Sequence, residues 1–239
     1  MKRIVISLSM ILCLTVTQCM AQTKQNTLSE EEQDDGWELL FDGASPDDWR
    51  GYQKDGFPEQ GWKVEDGMLM VLAGGGGGDI ITRETYGDFI LKLEWKAEKG
   101  GNSGIFYRAL EQPTQAIYWS APEFQILDNE NHPDATRGED GNRKAGSLYD
   151  LIPAKPQNAN PYGEWNSAKI VANGSKIEHW QNGEKVLEYE LWTPKWYEML
   201  RNSKFVDHPE FGDMHEGHIG LQDHGNTIQF RNIKIKKLD

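Results

Sequence analysis

Over residues Phe89–Ala97 the chain alternates without a slip: Phe89, Leu91, Leu93, Trp95 and Ala97 fall on one parity, and Ile90, Lys92, Glu94 and Lys96 on the other. A two-residue period sends these sets to opposite faces of a strand, so one face is buried and the other meets water. Strands of that kind belong to antiparallel sheets. The rest of the chain must supply partners, and its turn signals say where they lie. Asp66-Gly67 joins residues 62–65 to 68–72, Asn173-Gly174 joins 168–172 to 176–180, and Asn182-Gly183 leads into 185–189. Such pairs mark two-residue hairpin turns, and the last two predict a meander. Near the end, Ile228 and Phe230 share one parity while Ile233 and Ile235 share the other, which a bulge at Arg231-Asn232 reconciles. The one helical candidate, residues 193–205 with Pro194 near its first turn, reads as a surface excursion packed by Trp196 and Leu200 rather than a functional flap. Many short strands and little helix predict an all-β fold, an antiparallel β-sandwich of jelly-roll type.

The first 21 residues have the pattern of an export signal: Lys2 and Arg3, an apolar run over 4–16, then small residues at Cys19 and Ala21. Cleavage after Ala21 is the expectation, with lipidation at Cys19 as the alternative, so the protein is expected to be exported and either periplasmic or tethered to the outer membrane. Both cysteines, Cys13 and Cys19, lie in this segment, so the processed chain has no disulfide, no thiol nucleophile and no cysteine-based zinc site. Residues 22–35 read as a flexible polar tether and 36–239 as one β domain. No later stretch approaches the ~20 apolar residues of a spanning helix. The net charge of −13 disfavours nucleic acid and anionic membranes as partners and favours a neutral one such as a sugar.

Three regions exceed what a plain sandwich needs. The five glycines at 74–78 lack the Lys-Ser/Thr of a phosphate loop and precede no helical pattern, so they read as a loop of unusual backbone angles or close approach. Residues 129–165, long and without period, read as a functional loop or lid. The working surface is placed in residues 99–128, where Asn102, Ser103, Arg108, Glu123, Gln125 and Asp128 interrupt apolar runs. In a strand, Glu123 and Gln125 share one face while Phe124 and Ile126 point to the core. Asp128 has the opposite parity and joins Glu123 only if a bulge near Leu127 resets the alternation.

Six ordered motifs, Leu40-Phe-Asp-Gly43, Gly101-Asn-Ser-Gly-Ile-Phe-Tyr-Arg108, Glu123-Phe-Gln-Ile-Leu-Asp128, Gly163-Glu-Trp-Asn166, Ile219-Gly-Leu-Gln-Asp-His-Gly225 and Phe230-Arg-Asn-Ile233, together resemble the 3-keto-disaccharide hydrolase family over residues 36–238. The resemblance implies a concanavalin A-like lectin/glucanase jelly roll that cleaves glycosides already oxidised to a ketone at C3. Such a ketone acidifies the hydrogen on C2, so a base can remove it and the C1 substituent can leave. Hydration of the resulting enone completes a net hydrolysis.

That chemistry asks for a base, an oxyanion stabiliser and an acid. Glu123 is the first choice for the base, since burial raises a carboxyl pKa toward neutrality; its plain alternative is an ion pair with Arg108 or Arg231. His224 is the other candidate for proton transfer. Arg108, Lys144 and Arg231 are candidates to hold the enolate oxygen. Asn102 and Gln125 are candidates for sugar hydroxyls, and Trp119 and Tyr149 for a ring face. Two rivals stay open: an ordinary retaining glycosidase using Glu123 and Asp128, and a non-catalytic, lectin-like sugar-binding module. A divalent metal such as calcium, held by Glu123, Asp128, His132 and Asp134, also stays open, with no cofactor certain.

Overall fold

The expected alternation is what the chain adopts. In a computed structural model describing residues 24–238, every second residue of Phe89–Ala97 is buried, from Phe89 through Ala97. The expected leader, with Cys13, Cys19 and Ala21, lies outside the described residues. In chain order the elements are α1 (Glu30–Asp34), β1 (Trp37–Leu39), β2 (Trp49–Gly51), β3 (Trp62–Glu65), β4 (Met68–Val71), β5 (Ile80–Thr82), β6 (Phe89–Ala97), β7 (Asn102–Ala109), β8 (Glu123–Leu127), β9 (Asn166–Asn173), β10 (Lys176–Gln181), β11 (Glu184–Glu190), α2 (Pro194–Arg201), β12 (His218–Leu221) and β13 (Ile228–Lys237).

Among the described residues these strands form two antiparallel sheets. One runs β11-β10-β9-β6-β13-β4-β3, with β1 also paired to β13; the other runs β2-β5-β12-β7-β8. They pack face to face as a jelly-roll sandwich: Phe89, Leu91, Leu93 and Trp95 of β6 share a core with Ile105 and Tyr107 of β7 and Phe124 and Ile126 of β8. Burying each such side chain contributes ~1.5–3 kcal/mol, and this sets which face of β8 looks inward.

The turn chemistry follows the sequence. Asp66 and Gly67 both take positive φ, 50° and 71°, closing the β3–β4 hairpin in the form whose twist suits the flanking strands. The β13 register shifts between Arg231 and Lys234, with Asn232 at φ 53°, so Phe230 and Ile233 reach the same core despite their opposite parity. The glycine run is a close approach to backbone: a Cβ on Gly61 would stand 2.2 Å from the Gly77 nitrogen.

The segment before the sandwich departs from expectation. Residues 24–35 are docked rather than a free tether. The Asn26 amide donates to Asn232 Oδ1 (2.7 Å), and the Asn232 amide returns a bond to Asn26 Oδ1 (2.8 Å). Ser29 and Glu32 form a reciprocal capping box on α1. The β13 bulge frees the Asn232 backbone for this clasp, a long-range pairing that local polarity does not reveal. No helix among the described residues is long and apolar enough to cross a membrane.

Candidate active site

β7 and β8 pair in unbroken register, from Asn102 opposite Leu127 to Phe106 opposite Glu123. Phe124 and Ile126 enter the inter-sheet core, so Glu123 and Gln125 stand on the outer face of the smaller sheet. The loop over residues 129–165 seals the edge of β8. The Gln125 amide donates to the Ser147 carbonyl (3.1 Å), Gly146 to Gln125 (2.9 Å) and Tyr149 to Glu123 (3.1 Å). An edge strand is thereby covered, and the Tyr149 side chain is held beside Glu123.

A cavity of about 220 Å³ forms there, lined by Asn102, Tyr118, Glu123, Gln125, Tyr149, Lys204, Gln222 and His224 among others. It is smaller than the ~300–1,000 Å³ of drug-sized sites and suits a single sugar ring. Glu123 is 6% exposed, and burial pushes its carboxyl up to about 8. The Lys204 charge works against that shift, whereas Asp79, Asp134 and Asp150 add to it. With its amide turned to satisfy its neighbours, Gln125 donates to Glu123 Oε1 (3.1 Å) and to the Ser103 carbonyl (2.9 Å). Glu123 is therefore oriented by an amide and forms no ion pair with either arginine considered for it.

Lys204 is the cation of the pocket. Its Nζ lies 4.1 Å from the Tyr149 ring centroid and 3.5 Å from Asp150 Oδ2. Burial first of all holds its ammonium below the usual lysine range. The Tyr149 hydroxyl donates to Asp134 Oδ2 (3.3 Å), and burial pushes that phenol up. Exposed His224 sits at the rim, edge-on to His132 with ring centroids 6.1 Å apart.

Five of the residues predicted for the site lie elsewhere. β8 runs regularly to its end, so no bulge brings Asp128 round; its carboxylate instead accepts from the Gly100 amide (2.8 Å), the Asn131 side chain (2.8 Å) and the Glu130 and Asn131 amides. Burial alone would raise that carboxyl, but these bonds outweigh it and hold it low. Arg108 is 1% exposed and spends its guanidinium on the Gly87 and Gly174 carbonyls and on Asp88. Arg231 pairs with Glu94 (2.6 Å) and stacks on Trp165. Lys144 borders a separate, open depression with Gly138, Asp140 and Gly141. Trp119 stacks on His208, ring centroids 3.8 Å apart, while its neighbour Tyr118 faces the cavity.

The carboxylates and histidine considered for calcium do not gather either. Asp128 caps its own turn, His132 Nδ1 accepts from the Asp134 amide (3.1 Å), and Asp134 pairs with Arg137 and Arg143. Among the described residues no group of three or more His, Cys, Asp or Glu is placed to hold a metal ion.

The sequence reading missed Lys204, Phe205 and Phe211, all from the excursion after β11. Trp196 and Leu200 do pack α2 down, as expected, but the chain beyond it turns over the pocket. The available signal was Lys204 beside Phe205: a charge next to an aromatic in a stretch already anchored by two large apolar groups.

A family profile described as a 3-keto-alpha-glucoside-1,2-lyase-like domain matches residues 36–236. A relative from Bacteroides thetaiotaomicron named 3-keto-disaccharide hydrolase is 48% identical over 231 residues, covering 86% of this chain and 79% of that one. A crystal structure of a candidate glycosyl hydrolase from Parabacteroides distasonis superposes with a TM-score of 0.82 at 34% identity, covering 90% of this chain and 100% of that chain. A second candidate glycosyl hydrolase from the same organism gives 0.63 at 27%, covering 84% and 99%.

Proposed function

The chain belongs to the 3-keto-alpha-glucoside-1,2-lyase-like family, and from that membership we propose that it is a carbohydrate-cleaving enzyme acting on 3-keto-glycosides. The observation that carries this reading is Glu123: a carboxyl that lines the pocket, buried and pushed up to about 8. A base of that strength suits removal of a carbon-bound proton that a neighbouring ketone has acidified.

Glu123 takes the proton from C2, and the electron pair moves toward the C3 oxygen. Lys204, the pocket's cation, stabilises the negative charge that develops there. The enolate then expels the C1 substituent, whose oxygen takes a proton from His224 at the rim or from water. Water adds to C1 of the enone, its surplus proton restoring the group that protonated the leaving oxygen, and Glu123 returns a proton to C2. The sum is hydrolysis without a net redox change. Asn102 and Gln222, which also line the cavity, are assigned to the sugar hydroxyls.

The paired-carboxylate alternative loses support because Asp128 is committed to its turn. A sugar-binding module has no need of a carboxyl buried to this degree. Export rests on the leader-like residues 1–21. The test is deuterium at C2 of a 3-keto-glucoside. Elimination predicts a primary isotope effect on cleavage, with the label lost to solvent insofar as the Glu123 carboxyl exchanges before it reprotonates C2, and retention of the label with no isotope effect refutes it.

A further inference from the structure

A larger depression, of about 780 Å³, lies on the opposite side of the sandwich, along the outer face of the larger sheet and bordered by the docked segment before β1. Three lysines cross it in one row. Lys234 of β13 pairs directly with Lys92 of β6, and Lys92 pairs directly with Lys169 of β9. The next partner along is Trp180 of β10. Adjacent strands lie ~4.8 Å apart, so the row spans roughly 10 Å.

Like charges directly opposed across strands are destabilising, and two such contacts in succession stand out in a chain of net charge −13. Neutralisation within the molecule is incomplete. Lys234 pairs with Glu32 of α1. Among the described residues Lys92 and Lys169 pair with no carboxylate and are held over indoles instead, Lys92 Nζ at 4.3 Å from the Trp37 ring and Lys169 Nζ at 3.5 Å from the Trp180 ring. The nearby acids are engaged: Glu94 with Arg231, and Glu178 with the Trp180 indole and Lys185. Burial, and then the Lys92 charge, hold the Lys169 ammonium below its usual range, which an anion between them would relieve.

We propose that this trough is a second saccharide site, separate from the Glu123 pocket, which binds the carboxylates of a uronic-acid chain on Lys92 and Lys169. The rest of its lining matches such a ligand. The Ser167 hydroxyl and the Asn232 amide nitrogen offer hydrogen bonds to hydroxyls, the Asn232 oxygen being held in the clasp and the Ser29 hydroxyl in the helix cap. Glu31 and Asp35 at the border repel a polyanion as dense as nucleic acid but tolerate carboxylates spaced by neutral rings. The site does not depend on the chemistry assigned to Glu123.

Calorimetric titration with trigalacturonate, and with its methyl-esterified form, separates the charge from the ring. The acid form binds the wild type and Glu123→Gln alike, and the ester binds at least ~10-fold more weakly. The double variant Lys92→Gln/Lys169→Gln loses at least ~10-fold in affinity for the acid form, while its cleavage of a small 3-keto-glucoside stays within about twofold of wild type. Removing opposed like charges leaves this variant at least as stable as the parent, which thermal unfolding checks. No binding of the acid form to the wild type, equal binding of acid and ester, or undiminished binding by the double variant would each overturn the proposal.

Discussion

The Glu123 carboxylate lies directly over the backbone of Gly104: a Cβ built there would stand 2.1 Å from Oε1. Gly104 is opposite Gln125 in the β7–β8 register, so the diagonal space that a side chain would fill on this face belongs to the neighbouring acid. A glycine in mid-strand weakens a sheet. Here it leaves room for the buried carboxyl that the proposed reaction turns on.

Gly104→Ala should therefore impair catalysis more than folding. The methyl forces the carboxylate aside, and a displacement of ~1 Å at a reacting group costs ~10²-fold in rate. The stability loss should stay near ~1–3 kcal/mol, as for overpacking elsewhere. Turnover and thermal unfolding measured on one preparation would check both.

The pH dependence carries a definite sign. Glu123 acts as a base when ionised, so kcat/KM on a keto substrate should rise with pH and level off above its midpoint near 8. A profile that falls through 8 would make Glu123 an acid. Stability runs the other way. The raised carboxyl binds its proton more tightly in the fold than in the unfolded chain, so its contribution is complete below about 4.5 and is lost as pH climbs to about 8. The loss is at most ~1.4 kcal/mol per pH unit, and Glu123→Gln should remove it from a series of denaturant titrations.

Lys204→Met should lower kcat ~10²–10³-fold with little change in KM, as expected for a group that stabilises developing charge. The same substitution removes the charge that holds the Glu123 carboxyl down, so the pH–rate midpoint should also move upward. A variant that loses rate with an unmoved midpoint would place Lys204 away from Glu123.

Asp128→Ala should do the reverse. Its carboxylate holds the turn after β8 through the Gly100, Glu130 and Asn131 contacts, so truncation should cost ~1–3 kcal/mol of stability and leave turnover within a few-fold. Loss of turnover without loss of stability would revive the two-carboxylate glycosidase.

The sandwich was legible because its determinants are local: the alternation of Phe89–Ala97, the turns at Asp66-Gly67 and Asn173-Gly174, and the parity change at Arg231-Asn232. The face shared by Glu123 and Gln125 followed from the same period. The roles of the cations did not, because each was decided by what the fold brings to it. Arg108 meets two carbonyls and Asp88, Arg231 meets Glu94 and Trp165, and Lys204 arrives from an excursion some eighty residues downstream of Glu123. Asp128 was misplaced for a related reason: its parity counted against the site, and a bulge near Leu127 was needed to admit it.

The most direct test of the central claim is release of the aglycone from a 3-keto-glucoside beside its unoxidised parent, with wild type and Glu123→Gln. The account predicts cleavage of the keto substrate alone, abolished in Glu123→Gln while the variant keeps its fold. Cleavage of the parent glucoside at a comparable rate, or a Glu123→Gln enzyme that still cleaves the keto substrate, would contradict it.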